Sequence, residues 1–217
     1  MNENLTPTTA CCCRRVSRTL VVFALLGALL LGAGGWHAYD VHVRYRLGTV
    51  TEGQLYRSGA MPPAHMAEVA KKLGLRAVID LRTFVPGQDS TNTTPLQNIE
   101  AEGAALATVG VRHIRLPSAQ VPDPATLEQF LRVMADPANR PALVHCYHGV
   151  GRTELFAAVY RIEFEGWTPE KARAATRLLL AGSSFSDHAE KGRFLKDYLP
   201  RRGKTGPTTG VPEPSGP

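Results

Sequence analysis

The stretch ALVHCYHGVGRT, residues 142–153, decides the fold of this chain. It opens with an apolar run that ends at Cys146 and shows no polar alternation, which is typical of a central strand buried on both faces. Five residues separate Cys146 from Arg152, where an apolar-rich helical pattern begins. The stretch therefore predicts a strand, a tight loop and a helix in direct succession.

The loop between the cysteine and the arginine is suited to a small anion. Five residues allow the backbone to curl so that several amides point inward, with glycines relieving the strain. The positive end of the following helix dipole adds to this field, and Arg152 can bind two phosphate oxygens at once. We name residues 146–151 the cysteine loop. The residues predicted to bind substrate are Tyr147, His148, Gly149, Val150, Gly151 and Arg152.

The thiol at the start of this loop is predicted to be a nucleophile. The field that attracts an anion also lowers the pKa of Cys146, so that a thiolate is present at neutral pH. A thiolate at the base of a phosphate-binding loop is placed to attack phosphorus. The loop therefore predicts chemistry on a phosphoryl group.

Strand-like and helix-like segments alternate along the rest of the domain, which predicts an α/β sheet with helices on both sides. The predicted strands are QLYRS, RAVIDLR, VRHIRLP and PALVHC. The predicted helices are PPAHMAEVAKKLGL, TPLQNIEAEGAALATVG, DPATLEQFLRVMAD, RTELFAAVYRIEFEG and TPEKARAATRLLLAG, and the segment DHAEKGRFLKDYL closes the domain.

The composition allows one domain of ordinary size, since the chain has 217 residues with non-globular ends. The net charge is +6, but lysines and arginines are scattered rather than clustered. This distribution argues against nucleic-acid binding. It suits anionic substrates only weakly.

The N-terminus carries a targeting signal. Residues 1–18 are basic, and residues 19–39 contain no charge. Twenty-one helical residues span about 30 Å, the thickness of one hydrocarbon core. Basic residues before the segment favour a cytoplasmic N-terminus and a domain outside the cytoplasm, although Arg44 and Arg46 on the far side oppose this orientation.

A cleaved signal peptide is the alternative to an anchor. No good small-x-small cleavage site follows Leu31, so we favour an uncleaved anchor. This predicts a single-pass protein of the bacterial inner membrane whose domain faces the periplasm or the cell exterior. Residues 200–217 are rich in Pro, Gly and Thr and are predicted to be disordered.

Cysteine usage supports a functional thiol. Three of the four cysteines, Cys11, Cys12 and Cys13, precede the apolar segment. We interpret them as incidental, with acylation as the alternative. Cys146 is therefore the only thiol of the domain, with neither a disulfide partner nor a second cysteine for a metal site.

The segment HCYHGVGRT resembles the signature of the cysteine-dependent protein tyrosine and dual-specificity phosphatases: Cys, five residues, Arg, then Ser or Thr. The phrases GQLYRSGAMPP, LGLRAVIDLR, PANRPALVHC, YRIEFEGWTPEKA and GSSFSDH resemble the bacterial and fungal dual-specificity-like branch. The resemblance covers residues 48–199. It implies a central, mostly parallel sheet of four to five strands flanked by helices, and a phosphorylated protein as the substrate.

The resemblance also implies roles for the site residues. Cys146 would form a phosphocysteine, Arg152 would hold the transferring group, and Thr153 would hydrogen-bond the sulfur. His145 would tune the sulfur. An aspartic acid would serve as general acid and then general base, and neither a metal nor another cofactor is required.

The general acid has two candidates. Asp123 lies in the loop where the family usually carries this residue, although an aspartate before a proline is also a common N-cap. Asp187 is the second candidate. Glu154 departs from the family pattern, which often has glycine there, and its carboxylate would either weaken anion affinity or face away along the helix.

Three functions remain open from the sequence. The first is hydrolysis of phosphotyrosine, with phosphoserine and phosphothreonine as further substrates. The second is hydrolysis of phosphoinositides or inositol phosphates, ranked lower because the cysteine loop has no lysine. The third is a non-catalytic phosphate-binding module. Asp80 and Arg82 are predicted to form a buried pair without a chemical role, and the sequence does not indicate an oligomeric state.

Overall fold

The structure is a computed structural model that describes residues 18–84, 96–177 and 179–201, with side chains from residue 21 onward. The helices are α1 (Arg18–His42), α2 (Pro63–Lys72), α3 (Leu96–Ala107), α4 (Pro124–Ala135), α5 (Arg152–Glu165), α6 (Pro169–Ala174) and α7 (Glu190–Lys196). The strands are β1 (Gly48–Thr51), β2 (Leu55–Ser58), β3 (Ala77–Asp80), β4 (Arg112–Arg115) and β5 (Ala142–His145).

The five strands form one sheet in the order β1-β2-β5-β3-β4. Strand β1 is antiparallel to β2, and the other three pairings are parallel. The predicted α/β fold with a mostly parallel sheet is confirmed. Strand β5 lies at the centre, and its Leu143 pairs with Tyr56 on β2 and Val78 on β3. The cysteine loop therefore emerges at the carboxyl edge of the sheet, between two parallel neighbours.

Helices cover both faces of the sheet. On one face Leu143 packs in a buried cluster with Met66 of α2 and Leu106 of α3. On the other, Val144 packs with Phe156 of α5 in the larger cluster. Successive residues of β5 thus enter opposite layers, which explains why its sequence is apolar without alternation.

Two elements differ from the sequence predictions. Strand β1 was not predicted, because its four residues GTVT show no extended apolar pattern and the strand forms by pairing with β2. Helix α6 ends at Ala174, earlier than the segment TPEKARAATRLLLAG suggested. Just beyond it, the Thr176 hydroxyl donates to the Arg173 carbonyl at 2.7 Å, a local bond that competes with helix continuation.

Helix α1 belongs to a separate unit, residues 1–43, and the domain forms the unit of residues 44–217. Within α1 the segment Val21–His42 has 22 residues and is long and apolar enough to cross a membrane. Its length at helical rise is about 33 Å. The predicted N-terminal apolar helix is therefore present. The predicted basic segment lies almost wholly outside the described residues, as do Cys11, Cys12, Cys13 and nearly all of the C-terminal tail.

A cluster of charged side chains lies buried beside the carboxyl edge of the sheet. Its members, here called the buried charge cluster, are Asp80, Arg82, Glu102, His113 and His145. The Arg82 guanidinium contacts Asp80 Oδ2 at 2.8 Å and Glu102 Oε2 at 3.0 Å. His145 Nε2 lies 2.9 Å from Glu102 Oε1, and His113 Nε2 lies 3.3 Å from the same oxygen. The predicted pair of Asp80 and Arg82 is thus part of a larger network that ties α3 to three strands.

The network shifts the pKa of each histidine. Burial alone would lower the pKa of His113, but hydrogen bonds to Asp80 and Glu102 and their negative charges raise it to about 9. For His145 burial is likewise outweighed by the charges of Glu102 and Asp80, which raise its pKa above the ordinary value. The His113 imidazole is therefore held as a cation at neutral pH, and the charges around His145 favour its protonated form.

This network predicts a loss of stability at alkaline pH. The pKa of His113 is raised from 6.5 to about 9 on folding, so its contribution is complete below about pH 6.5 and lost as the pH rises through about 9. The contribution is about 3 kcal/mol. We expect the free energy of unfolding of the detergent-solubilised chain, measured in urea, to fall over this range, and to fall less in His113→Gln.

The matched control is His65→Gln, because the His65 side chain is 41% exposed beside Glu68. This variant should follow the pH dependence of the unchanged protein. An identical alkaline fall in His113→Gln would contradict the assignment.

Candidate active site

The carbonyls of the cysteine loop are bound from outside the loop. The Ala60 amide donates to the Tyr147 carbonyl at 3.0 Å, Arg46 Nη1 donates to the His148 carbonyl at 2.7 Å, and Arg177 donates to the Val150 carbonyl. In a trans peptide the carbonyl and the following amide point in opposite directions. The amides of residues 148, 149 and 151 therefore turn toward the inside of the loop.

Gly149 is needed for this curl. It adopts φ of +71°, and a Cβ there would lie 2.5 Å from the Gly59 amide nitrogen and 2.7 Å from the Ser58 carbonyl carbon. Both the backbone conformation and the close approach to the segment after β2 exclude a side chain. The Gly149 amide in turn donates to Cys146 Sγ at 3.3 Å, which shows that it faces the sulfur.

Cys146 lies at the base of this loop and is 3% exposed. Burial opposes ionisation of the thiol, but hydrogen bonds from the Thr153 hydroxyl and amide, the charge of Arg152 and the Gly149 amide lower its pKa. The predicted residues Cys146, Arg152 and Thr153 are thus brought together, and the sulfur sits among donors.

The Arg152 guanidinium is fixed by two carbonyls. Its Nη1 donates to Leu81 at 2.8 Å and to Ser118 at 3.2 Å, residues that follow β3 and β4. The side chain is buried. Among the residues that the structure describes, only Nη1 forms hydrogen bonds. Nε and Nη2 are a pair of donors with the spacing of two phosphate oxygens.

The His145 ring lies in the buried charge cluster rather than against the sulfur. Successive residues of a strand point to opposite faces, and the ring contacts Glu102. The His145 carbonyl accepts from the Leu81 amide at 2.9 Å, which fixes the end of β5. Tuning of the sulfur by His145 stays a prediction, and the contacts fit a positioning role through the backbone.

Tyr147 and His148 place their rings at the exposed side of the loop. Tyr147 is 44% exposed, and the two ring centroids are 4.7 Å apart in an edge-to-face arrangement. Burial, with the charges of Arg46 and Arg152, lowers the pKa of His148. Both rings are positioned to line the entrance to the loop, and their contact with substrate stays a prediction.

Asp123 caps α4. Its Oδ1 accepts from the Thr126 amide at 2.8 Å and its Oδ2 from the Thr126 hydroxyl at 3.0 Å, and these bonds lower its pKa. A lowered pKa does not favour a proton donor at neutral pH. The same segment nevertheless reaches the site, since the Ser118 carbonyl contacts Arg152 and Gln120 Oε1 lies 3.4 Å from the position of a Cβ at Gly151.

Asp187, the second candidate acid, is 57% exposed and pairs with Arg173 at 3.0 Å. No described contact joins it to Cys146 or Arg152. The capping bonds of Asp123 and the ion pair of Asp187 leave the identity of the general acid a prediction.

Glu154 is turned toward basic side chains outside the loop. Its carboxylate lies 2.6 Å from Arg57 Nη1 on β2 and is buried, which raises its pKa against the opposing charges of Arg57, Arg177 and Arg161. Of the two alternatives for this departure from the family pattern, the structure favours the one in which the carboxylate faces away. Arg57 thereby acquires a structural partner.

Several site residues had no signal in the sequence. Glu102 and His113 lie far from Cys146 along the chain, and only the fold brings them to His145. Arg46 and Arg177 bind loop carbonyls through side chains that no local motif marks. The sequence showed only a general excess of basic residues, and these are scattered along the chain, so it did not single out Arg46 or Arg177.

The oxygens of Asp80 and Glu102 and a nitrogen of His113 lie within 4.8 Å of one another, a spacing that would admit a metal ion. Arg82 already donates to both carboxylates. A divalent cation would have to displace this guanidinium, so the donor set fits ion pairs better than a metal.

Comparisons with known proteins show the family of this chain. Residues 46–192 match the family model described as DSP-PTPase phosphatase fused to NAD+ kinase. The dual specificity protein phosphatase TpbA of Pseudomonas aeruginosa (strain UCBPP-PA14) is 31% identical over 169 residues, which cover 70% of this chain and 68% of that protein.

Two solved structures share the fold. The crystal structure of P. aeruginosa TpbA has a TM-score of 0.52 at 25% identity and covers 72% of this chain and 86% of its own. The catalytic domain of the PP-IP phosphatase SIW14 from S. cerevisiae has a TM-score of 0.53 at 21% identity and covers 70% and 85%. The chain belongs to the cysteine-dependent protein tyrosine and dual-specificity phosphatase superfamily.

Proposed function

We propose that this protein hydrolyses phosphotyrosine, with phosphoserine and phosphothreonine as further substrates, through a phosphocysteine intermediate. The observation that carries the proposal is Cys146, whose pKa is lowered by the donors of Thr153, Arg152 and Gly149. A thiolate among inward amides is a nucleophile held where a phosphate would bind.

In the first step the Cys146 sulfur attacks phosphorus and the bond to the ester oxygen breaks. Arg152 and the amides of the cysteine loop hold the three remaining oxygens, and the general acid gives its proton to the leaving oxygen. In the second step the same carboxylate takes a proton from water, which attacks phosphorus and releases inorganic phosphate. The Thr153 hydroxyl stabilises the departing thiolate. All of these steps use groups of this chain.

The entrance favours an aromatic ester. Tyr147 and His148 present exposed rings beside the loop, and aromatic rings pack well edge to face or offset. The name of the relative TpbA, dual specificity protein phosphatase, supports a phosphorylated protein as substrate. A soluble phosphopeptide or protein is therefore the proposed partner.

Inositol phosphates are the second candidate. The cysteine loop lacks lysine, but Arg46 and Arg177 flank it and bind two of its carbonyls. Such basic side chains suit a substrate with several phosphates. A non-catalytic phosphate-binding module is disfavoured, because Cys146, Arg152 and Thr153 are all present and lie together.

The proposal predicts vanadate-sensitive, chelator-insensitive hydrolysis of para-nitrophenyl phosphate. We expect Cys146→Ser to abolish turnover, because serine at this position is not ionised. Phosphate release measured on the full chain in detergent checks the result. We then measure kcat/KM on equal numbers of phosphotyrosine peptides and inositol phosphates and compare the two substrate classes.

Activity that survives in Cys146→Ser would contradict the mechanism. Higher kcat/KM on inositol phosphates than on the peptides would instead favour the second candidate.

The role of Asp123 is tested by Asp123→Asn, which keeps the N-cap because asparagine caps as well as aspartate. We propose Asp123 as the acid because its segment contacts Arg152 and approaches Gly151. Turnover of an aryl phosphate with a poor leaving group should fall by a factor of about 10²–10⁴, with an unchanged unfolding midpoint. Asp187→Asn is the matched control. Near-normal turnover in Asp123→Asn would refute the assignment.

We further propose that α1 anchors the protein in the bacterial inner membrane, with the phosphatase domain in the periplasm. The basic residues before α1 support this orientation. A periplasm-dependent reporter enzyme fused after Tyr198 should be active, and the same reporter before Arg14 should be inactive. An inactive first fusion together with an active second fusion would overturn the orientation, and recovery of the chain in a soluble fraction would overturn the anchor.

A further inference from the structure

Helix α7 brings a lysine to the cysteine loop. A Cβ at Gly151 would lie 3.5 Å from Lys191 Cε and 3.8 Å from Lys191 Nζ. The two residues are far apart in sequence, and the lysine is absent from the loop motif. The Lys191 residue is only 8% exposed, so it is more deeply buried than most lysines.

The position of Lys191 is fixed by the packing of its helix. A Cβ at the neighbouring Gly192 would lie 1.8 Å from the Ser186 carbonyl oxygen, so this glycine lets α7 approach the preceding segment closely. Leu195 on the same helix and Phe185 before it are fully buried in the larger core cluster. The backbone that carries Lys191 is therefore fixed by packing against the core of the domain.

Few groups of the protein balance the positive charge of the Lys191 ammonium. Within residues 18–84, 96–177 and 179–201 no hydrogen bond or ion pair to Lys191 is formed. The charged groups that face it are Arg152 and Arg177, which repel it, and Cys146 and Glu190, which attract it. Burial, then the charge of Arg152, lowers the pKa of Lys191. A cation in this partly desolvated position is stabilised when an anion binds beside it.

A phosphoryl dianion held in the cysteine loop would supply this anion. Gly151 forms the end of the loop next to Lys191, and Arg152 follows it directly. The loop amides and one guanidinium provide a single full positive charge for a dianion, and Lys191 provides the second. Both cations then lie beside the same ligand, and each can form a charge-assisted hydrogen bond to it.

We propose that Lys191 is a substrate-binding residue whose ammonium donates to an oxygen of the phosphoryl group bound in the cysteine loop. The inference rests on the proposed function, and it adds a residue from outside the signature motif to the site. It also qualifies the argument from the loop's lack of lysine, because the fold supplies one from α7.

The test uses binding of inorganic phosphate to the full chain, measured by calorimetry, so that it does not depend on turnover. Lys191→Met removes the charge but keeps much of the apolar volume, and should weaken phosphate binding at least about 10-fold, the usual effect of losing a charge-assisted hydrogen bond. Lys191→Arg should restore part of the affinity. KM for para-nitrophenyl phosphate should rise in parallel, with a smaller change in kcat.

Lys196→Met is the matched control, because Lys196 is exposed on the same helix, and its phosphate affinity should equal that of the unchanged protein. Lys191→Gln is a second variant without the charge. The unfolding midpoints of all variants show whether weaker phosphate binding comes from a lost contact or from a misfolded domain. Unchanged phosphate affinity in folded Lys191→Met and Lys191→Gln would overturn the role of Lys191 and leave the phosphatase intact. Phosphate binding without any turnover would instead contradict the proposed function alone.

Discussion

The site depends on the curl of the six-residue segment that follows β5. Three of its carbonyls are bound by Ala60, Arg46 and Arg177. Because the carbonyl and the amide of a trans peptide point in opposite directions, the adjoining amides face inward. Gly149 adopts a conformation and a closeness to β2 that no side chain tolerates. The thiolate, the guanidinium and the start of α5 take their positions from this one turn of backbone.

The surroundings of Cys146 and the buried charge cluster differ in how positive and negative charges are matched. Around Cys146 the donors and cations exceed the anions, which leaves a field that a phosphate dianion would complete. Behind it, the buried charge cluster pairs two carboxylates with Arg82, His113 and His145 and fixes the end of β5 through His145. Glu154 belongs to neither group, because Arg57 takes its carboxylate. The site is thus positive where a ligand would bind and compensated where the fold must be rigid.

The sequence was most informative where a local pattern determined the structure. The apolar run of β5, the glycines after it and the capped start of α4 each have a short-range cause, and the strands and helices they predicted are present. Strand β1 carried no such pattern, because it exists by pairing with β2. The members of the buried charge cluster, the partner of Glu154 and the approach of Lys191 depend on contacts between distant segments. A single sequence shows the residues in such contacts but not their proximity.

The most direct test of the account is the ionisation of Cys146, followed as the rate of its alkylation by iodoacetamide against pH. The account predicts a midpoint below that of a free cysteine, and a return toward the free value in Thr153→Val, which lacks the hydroxyl donor. Thr153→Ser, which keeps it, should retain the low midpoint. A midpoint equal to that of a free thiol in the unchanged protein would contradict the claim that the curled loop holds an anionic nucleophile.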